Sequence, residues 1–277
     1  MITGMPRIAI AANDFDKIVS TFRDQLGMPV IDFSKSSVEN LGAKLAMCVP
    51  ARGSNIELMS PAVKDAPLSQ SLQRFLDRRG EGLFALMLEA PEPDEEAQRL
   101  IASGLNVLPL MQGAGGRDIH PNSAHGVLIR IYPVNSFQGV MEEPDNSLGL
   151  SGIQRVVIAV RNLTASIETY RDKLGLAAQA PSNDVERGVN SVLVYPPKAG
   201  VIELVSPADT RRPYAERVAT MIEDCGEGMF ELVLQISDLA RAHDTMSERG
   251  LTVDTSDDAL LVSNNDTHGV QIRIETV

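Results

Sequence analysis

The most constraining feature of this 277-residue chain is an internal duplication. Four blocks of the first half recur in the second half in the same order, at an offset that falls from 148 to 143 residues. Chance similarity does not keep four blocks in one order, so the sequence predicts two copies of one module. The predicted boundaries are 1–133 for the first module, 134–150 for a linker rich in Pro, Gly, Asn and acidic residues, and 151–277 for the second module. The paired blocks are Arg7–Met28 with Arg155–Leu176, Asn55–Ala62 with Val201–Ala208, Gly80–Phe84 with Gly226–Phe230, and His125–Ile131 with His268–Ile274.

Apolar periodicity in the first module predicts a strand, a helix and then further strands, and this half-unit occurs twice. Arg7–Ala12 alternates as a strand does, and the apolar residues of Phe15–Leu26 follow helical spacing. Asn13–Asp14 supplies a cap for this helix and Gly27 a stop. Four βαβββ half-units therefore fill the chain, and the predicted fold class is α+β. The other elements predicted in this module are strands at 43–49, 55–59, 83–90, 106–110, 117–120 and 126–132 and helices at 67–76 and 95–103.

The charge balance argues against nucleic-acid and membrane partners. The chain has 25 basic and 37 acidic residues, a net charge of −12, so it lacks the positive field that phosphates or an anionic bilayer require. No apolar run approaches the roughly 20 residues of a membrane-spanning helix. Met1–Ala12 has neither a basic leader nor room for the apolar core of a signal peptide, so a cytoplasmic location is expected. The expected partner is a small molecule, and the expected state is a monomer or a homodimer.

Several short motifs carry a family resemblance over nearly the whole chain, once in each module. They are an aromatic-Arg-Asp-x-Leu-Gly end to the first helix, Ile-Glu-Leu-x-x-Pro, Gly-Glu-Gly followed by an apolar residue, and His-Gly-Val-x-Ile. This order resembles the vicinal oxygen chelate superfamily, which includes glyoxalase I, methylmalonyl-CoA epimerase, extradiol dioxygenases and bleomycin-resistance proteins. The segments Arg74–Phe84 and Gly113–Ile131 are most similar to the epimerase branch. The resemblance implies two tandem modules, each a pair of βαβββ units that form a curved mixed sheet around a cup.

In this superfamily four side chains of a cup typically hold one divalent metal, and the resemblance assigns each position to a residue of this chain. Arginine falls on two of the four positions in both modules, and a guanidinium, being permanently charged, cannot ligate a metal. The sequence therefore predicts neither a metal nor another cofactor. In order along the chain, the four positions are Arg7, Glu57, Ala85 and Arg130 in cup one, and Arg155, Glu203, Glu231 and Arg273 in cup two.

At these positions cup one has two cations and one carboxylate, whereas cup two has two of each. Cup one is therefore the expected acceptor of an anionic or enolate-like oxygen. Arg130 or Arg7 would polarise a carbonyl or hold a carboxylate there, and Glu57 or His120 would move a proton. The four charged residues of cup two are expected either to bind substrate or to form a structural cluster of salt bridges.

Two further residues complete the expected lining of cup one. Tyr132 follows Arg130 by two residues and so shares its strand face. Lys44 matches a position where the epimerases have a glutamate base, and the last-strand position of their second glutamate is Arg130 here. The paired histidines His125 and His268 are expected to cap or bridge the final hairpin of each module.

The resulting prediction is a metal-independent enzyme, of isomerase or lyase type, that acts on a small carbonyl, carboxylate or thioester substrate. A noncatalytic binding protein, similar to the resistance proteins of the superfamily, is the alternative. A ring-cleavage dioxygenase-like enzyme is a weaker one, because it requires a different alignment of the ligand positions.

Overall fold

The computed structural model describes residues 1–111, 115–137, 139–256 and 258–277. Its described strands form two mixed sheets, one in each half of the chain. The first sheet has the order β2-β3-β4-β1-β5-β7-β6, from strands β1 Gly4–Ala11, β2 Val30–Asp32, β3 Ala43–Cys48, β4 Asn55–Pro61, β5 Gly82–Ala90, β6 Arg117–Ile119 and β7 Leu128–Pro133. The second has the order β10-β11-β12-β8-β13-β16-β15-β14, with β9 also on β11, from strands β8 Arg155–Ala159, β9 Ala177–Ala178, β10 Ser182–Asp184, β11 Val189–Tyr195, β12 Val201–Pro207, β13 Gly228–Ile236, β14 Val253–Ser256, β15 Ala259–Val262 and β16 Gln271–Thr276. The α-helices are α1 Phe15–Ser20, α2 Ser34–Leu41, α3 Pro67–Arg79, α4 Pro93–Ala102, α5 Leu163–Ile167, α6 Pro213–Cys225 and α7 Leu239–Glu248.

The first helix of each module ends in a π-helical turn, Thr21–Gln25 in one and Glu168–Lys173 in the other. Asp14 caps the start of α1 by accepting a hydrogen bond from the Lys17 amide, as the sequence indicates. The aromatic-Arg-Asp blocks of the two modules fall on these turns, so the repeated sequence gives the same irregular helix twice.

The two faces of each sheet have different roles. One face joins a single apolar core that both modules share. The other, here called the cup face, carries the ligand-equivalent positions and is covered at one end by a helix, α3 in module one and α6 in module two. In module one, Leu68, Leu72 and Leu76 of α3 pack against the small side chains of Ala9 and Ala85. The opposite end of each cup face is left to polar residues.

One local prediction is wrong, and two regions contain elements that were not predicted. The segment 106–110 contributes one isolated bridge, Val107 with Ile119, rather than a strand. The sequence analysis did not identify α2, which has no apolar stripe strong enough to mark it, or the short strand before it. In module two the corresponding region forms β9 and β10 instead of a helix. The described part of 134–150 has no helix or strand, and the exact module boundaries stay a prediction.

The modules meet at two related contacts that use the repeated Gly-Glu-Gly and His-Gly motifs. His125 Nδ1 lies 3.1 Å from Glu227 Oε2 of the other module, and its Nε2 lies 3.2 Å from Thr169 Oγ1. In the reverse direction, His268 Nδ1 lies 2.7 Å from Glu81 Oε2. The histidines therefore bridge the modules, whereas the sequence analysis expected them to stay within their own hairpins.

The glycine after each histidine allows this close approach. Gly126 has φ +77°, and a Cβ there would lie 1.8 Å from the Glu227 carbonyl oxygen. Gly269 has the same φ, and its Cβ would lie 2.0 Å from the Glu81 carbonyl oxygen. Only glycine combines this backbone conformation with so short a distance.

Among the helices that the structure describes, none has the length and apolar character needed to cross a bilayer.

Candidate functional site

In cup one, an ion pair occupies two of the four ligand positions, and an aromatic ring lies beside it. From Arg7 onward in β1, and along β4, the odd-numbered residues face the cup because side chains alternate along a strand. This places Arg7 Nε 3.1 Å from Glu57 Oε2, with both side chains buried. The Arg7 guanidinium also lies 4.6 Å from the centre of the Tyr132 ring. The structure thus brings Arg7, Glu57 and Tyr132 together, as the sequence analysis expected.

Arg130 of cup one has a partner that the sequence analysis missed. Asp118, which pairs with Arg130 across β6 and β7, accepts two hydrogen bonds from its guanidinium, at 2.8 and 2.9 Å. Arg130 is only 1% exposed. The count of two cations and one carboxylate holds for the ligand positions alone, and Asp118 adds a second carboxylate that balances the charge of cup one. The available signal was the short turn between the predicted strands 117–120 and 126–132, which makes an antiparallel pairing of the two strands the expected arrangement.

Two residues assigned to cup one lie elsewhere. Lys44 pairs with Ser60, and the even-numbered residues of β3 face the shared core rather than the cup. Its ammonium group lies 5.4 Å from the centre of the Phe15 ring on α1. His120 accepts a hydrogen bond from the Asn122 amide through Nδ1 and so caps a short 3₁₀ turn. Neither residue contacts the four charged groups of cup one within the described part of the chain, which corrects both assignments.

Cup two contains a larger charged cluster than the sequence analysis assigned. Glu203 is buried and is held between two arginines. Arg187 Nη2 lies 2.5 Å from its Oε1, and Arg155 Nε lies 2.9 Å from its Oε2, although this second N–H does not point along a hydrogen bond. Arg187 comes from the turn between β10 and β11, in the region where module one has α2. A turn arginine has no sequence signal that links it to a distant strand.

Arg155 and Arg273 of this cup face share a second carboxylate. Glu275 Oε1 accepts hydrogen bonds from Arg155 Nη2 at 2.9 Å and from Arg273 Nε at 3.0 Å. Asp184 forms a 2.7 Å pair with Arg187, the arginine that also contacts Glu203. Arg155, Arg187 and Arg273 are therefore all neutralised by neighbouring carboxylates.

Two groups of opposite charge in cup two are left without an ion-pair partner among the described residues, Glu231 and Arg217. Glu231 is 1% exposed, its Oε2 has no hydrogen-bond partner there, and its Oε1 lies 3.5 Å from the Tyr214 hydroxyl. Arg217 lies on α6 with its guanidinium 5.6 Å from the centre of the Tyr214 ring, and its buried Nε is also unpartnered. Arg217 was not among the expected site residues, because it stands on a helix outside the ligand positions.

The environment of Glu231 shifts its protonation into the neutral range. Burial raises the pKa of Glu231 to about 7 from an ordinary value of 4.5, against the opposing effect of Arg273, Arg217 and Arg155. A carboxyl group with this pKa exchanges protons readily at neutral pH. Burial likewise raises the pKa of Tyr214, so its hydroxyl stays protonated beside Glu231.

The residues at the family's ligand positions do not fit a divalent metal. Arginine at two positions of each cup offers only N–H donors, and the remaining positions supply one carboxylate in cup one and two in cup two. The described residues contain no group of three or more His, Cys, Asp or Glu side chains arranged to hold an ion. A borderline divalent ion such as Zn²⁺ normally takes at least three such protein ligands.

Family comparisons match both halves of the chain. Residues 7–120 match the Glyoxalase/Bleomycin resistance protein/Dioxygenase superfamily, and residues 156–276 match a glyoxalase-like domain. A segment of 101 residues, 36% of this chain, is 28% identical to the ethylmalonyl-CoA/methylmalonyl-CoA epimerase of Cereibacter sphaeroides and spans 72% of that protein.

Solved structures share the two-module architecture. A mutant 4-hydroxymandelate synthase from Streptomyces coelicolor superposes with a TM-score of 0.70 and 12% identity, over 100% of this chain and 93% of that one. A xylose isomerase-like TIM barrel/4-hydroxyphenylpyruvate dioxygenase fusion protein gives a TM-score of 0.65 and 14% identity, over 100% of this chain and 49% of that one. At these identities the likeness establishes the fold and not the activity.

Proposed function

Because the chain belongs to the vicinal oxygen chelate superfamily, we propose that it is a metal-independent enzyme of isomerase or lyase type with its working site in cup two. The observation that carries the proposal is the pair of unpartnered groups, Glu231 and Arg217. Cup one is a weaker choice because Arg7 and Arg130 already have carboxylate partners. The proposed substrate is a small carbonyl, carboxylate or thioester compound with an acidic C–H bond.

The proposed reaction uses Glu231 as the proton carrier. The Glu231 carboxylate takes a proton from the carbon next to a carbonyl or carboxyl group, and the C–H electron pair forms an enolate. Arg217 stabilises the new negative charge on the enolate oxygen by donating hydrogen bonds. Return of the proton from Glu231 to a second carbon of the conjugated enolate completes an isomerisation, and loss of a leaving group with its electron pair from the neighbouring carbon completes an elimination. Because the pKa of Glu231 is about 7, both of its protonation states are accessible at neutral pH.

The test is proton exchange in D₂O, followed by NMR on a panel of α-branched acids, keto acids and thioesters. We expect the protein to exchange the α-proton of at least one compound class, and Glu231→Gln to slow the exchange roughly 10²–10⁴-fold, the usual contribution of a positioned base. Glu57→Gln is the control in cup one, where the position equivalent to Glu231 is Ala85 and Glu57 is the carboxylate at a ligand position, paired with Arg7. Exchange lost in Glu57→Gln and kept in Glu231→Gln would move the site to cup one.

Metal independence is tested on the same preparation. We expect exchange to survive dialysis against a chelator and elemental analysis to find substoichiometric metal, including after incubation with manganese, cobalt, iron and zinc. Stoichiometric metal whose removal abolishes exchange would contradict the proposal. If compounds bind saturably but none of the three compound classes undergoes α-proton exchange, the result would instead favour a noncatalytic binding protein.

A further inference from the structure

A cleft of about 490 Å³ lies where the two modules meet, next to cup two. Module one contributes Phe75 and Arg79 from α3, and module two contributes Arg217 and Met221 from α6 and Phe230 from β13. Arg217 lines the cleft, and Phe230 packs against Tyr214, whose hydroxyl lies 3.5 Å from Glu231 Oε1, so the cleft borders the unpartnered pair. Its volume is in the range of small-molecule sites, which is about 300–1,000 Å³.

Of the two cations that line the cleft, Arg217 is the one whose side chain makes no hydrogen bond among the described residues. Arg79 also lines the cleft, but its Nη2 donates to the carbonyl oxygens of Cys225 and Glu227, at 2.9 and 3.0 Å. Arg217 has no carboxylate partner in the part of the chain that the structure describes, and its Nε is buried. A buried guanidinium N–H without an acceptor costs free energy, which a bound anion would recover. The planar fork of an arginine suits a carboxylate.

The walls of the cleft are suited to an apolar body. Phe75 contacts Phe84 edge-on with ring centres 5.3 Å apart, and Phe230 contacts Tyr214 edge-on at 5.7 Å. These contacts hold the two lining rings in place on opposite modules. Met221 adds an adaptable thioether side chain to the same walls.

The rim of the cleft carries negative charge. Glu216 and Asp224 are exposed lining residues, and Glu81 is a third lining carboxylate. Carboxylates at an entrance repel a polyphosphate tail, and the chain's net charge of −12 adds to that repulsion. The charge distribution therefore favours a ligand with one negative group over the thioester of a phosphorylated carrier.

From these observations we infer that the cleft binds a free monocarboxylic acid with an aromatic or bulky apolar body, its carboxylate on Arg217 and its body between Phe75 and Phe230. This inference rests on the proposed function at cup two and narrows its substrate class. It also makes the site a composite one, since the wall formed by Phe75 comes from the other module.

The test measures binding of phenylacetate to the full-length protein by calorimetry and saturation-transfer NMR. We expect saturable binding of phenylacetate and at least tenfold weaker binding of phenylacetamide, which has the same shape without the charge. Arg217→Gln should weaken phenylacetate at least tenfold, and Phe75→Ala should weaken it without loss of fold. Arg211→Gln is the matched control, because Arg211 is an exposed arginine that lies near the start of the same helix and pairs with Asp209. It should leave binding unchanged.

Several results would overturn the inference: no saturable phenylacetate binding, equal binding of the acid and the amide, no effect of Arg217→Gln in a folded variant, or tighter binding of acetyl-CoA than of phenylacetate. The comparison of acid and amide uses the unaltered protein, so it decides the point even when a variant does not fold. Glu231→Gln separates this inference from the proposed function. If the unaltered protein exchanges no α-proton and Glu231→Gln still binds phenylacetate, the proposed enzymatic function is refuted. The proposed carboxylate-binding site is not.

Discussion

Replacing Glu231 by Gln should stabilise the protein at alkaline pH, which is unusual for the loss of a charged group from an Arg-rich cluster. Glu231 is 1% exposed and has no ion-pair partner among the described residues, so its ionised form is poorly compensated. Glutamine has almost the same shape and stays neutral. The variant therefore removes the cost of ionisation and keeps the packing.

The sign and size of the effect follow from the pKa of Glu231. In the folded protein this pKa is raised to about 7 by burial, from an ordinary value of 4.5. Below 4.5 both the folded and unfolded states are protonated, and ionisation costs nothing. As the pH rises from 4.5 through 7, the folded state retains the proton while the unfolded state loses it, so stability falls. At roughly 1.4 kcal/mol for each pH unit, the loss above pH 7 is on the order of 3 kcal/mol.

The measurement is urea unfolding followed by far-ultraviolet circular dichroism between pH 4.5 and 8.5, since the chain has no tryptophan to report by fluorescence. We expect Glu231→Gln to match the unaltered protein near pH 4.5 and to exceed its stability by up to about 3 kcal/mol at pH 8. Glu203→Gln is the control of opposite sign, because Glu203 is held by Arg155 and Arg187 and its loss leaves cations unpaired. Destabilisation of Glu231→Gln at pH 8, or a gain that does not vary with pH, would refute the reasoning.

Two further predictions concern stability. Asp118→Asn leaves Arg130 buried without its carboxylate, so it should lower the free energy of unfolding by about 3 kcal/mol in denaturant titrations, and an unchanged midpoint would show that cup one does not depend on this pair. Gly126→Ala should destabilise the module contact, because φ there is +77° and the new Cβ meets the Glu227 carbonyl oxygen, whereas Gly104→Ala, at φ +86° with open space around it, should cost only about 1 kcal/mol. Equal thermal shifts of the two glycine variants would mean that backbone strain, and not the contact, explains the loss.

The fold was predictable because its strongest signals are local and occur twice. Periodicity within Arg7–Ala12 and Phe15–Leu26 defines a strand and a helix, and their recurrence 148 residues later fixes the module count. The segment Ser34–Leu41 escaped the analysis because its serines and lysine make a weak apolar pattern. The contact between the two modules was not predictable, because a histidine in a hairpin turn gives no indication of which module its ring will contact.

The candidate site was predictable only where the residues stand on paired strands. Arg7, Glu57 and Glu231 follow from the alignment of strands with the family's ligand positions. Lys44 was misplaced by a single residue of register, and in a strand one residue reverses the face. Arg217 reaches the cup from a helix, so its role depends on tertiary packing that periodicity does not encode.

The two modules share the Gly-Glu-Gly and His-Gly motifs through which they contact each other, whereas the residues of their cups differ. The geometry explains the repeated motifs and the different cups. A histidine of each module contacts a glutamate of the other module. Both contacts therefore form only when both copies keep the His-Gly and the Gly-Glu-Gly motifs. No such reciprocity links the cups. Cup one neutralises its arginines with its own carboxylates, whereas cup two keeps Glu231 and Arg217 unpartnered among the described residues. Module one still contributes to the cleft at cup two, because Phe75 and the docking contact at Glu81 both line it. A duplicated module that has closed its own cup can therefore be retained for the wall that it supplies to its neighbour.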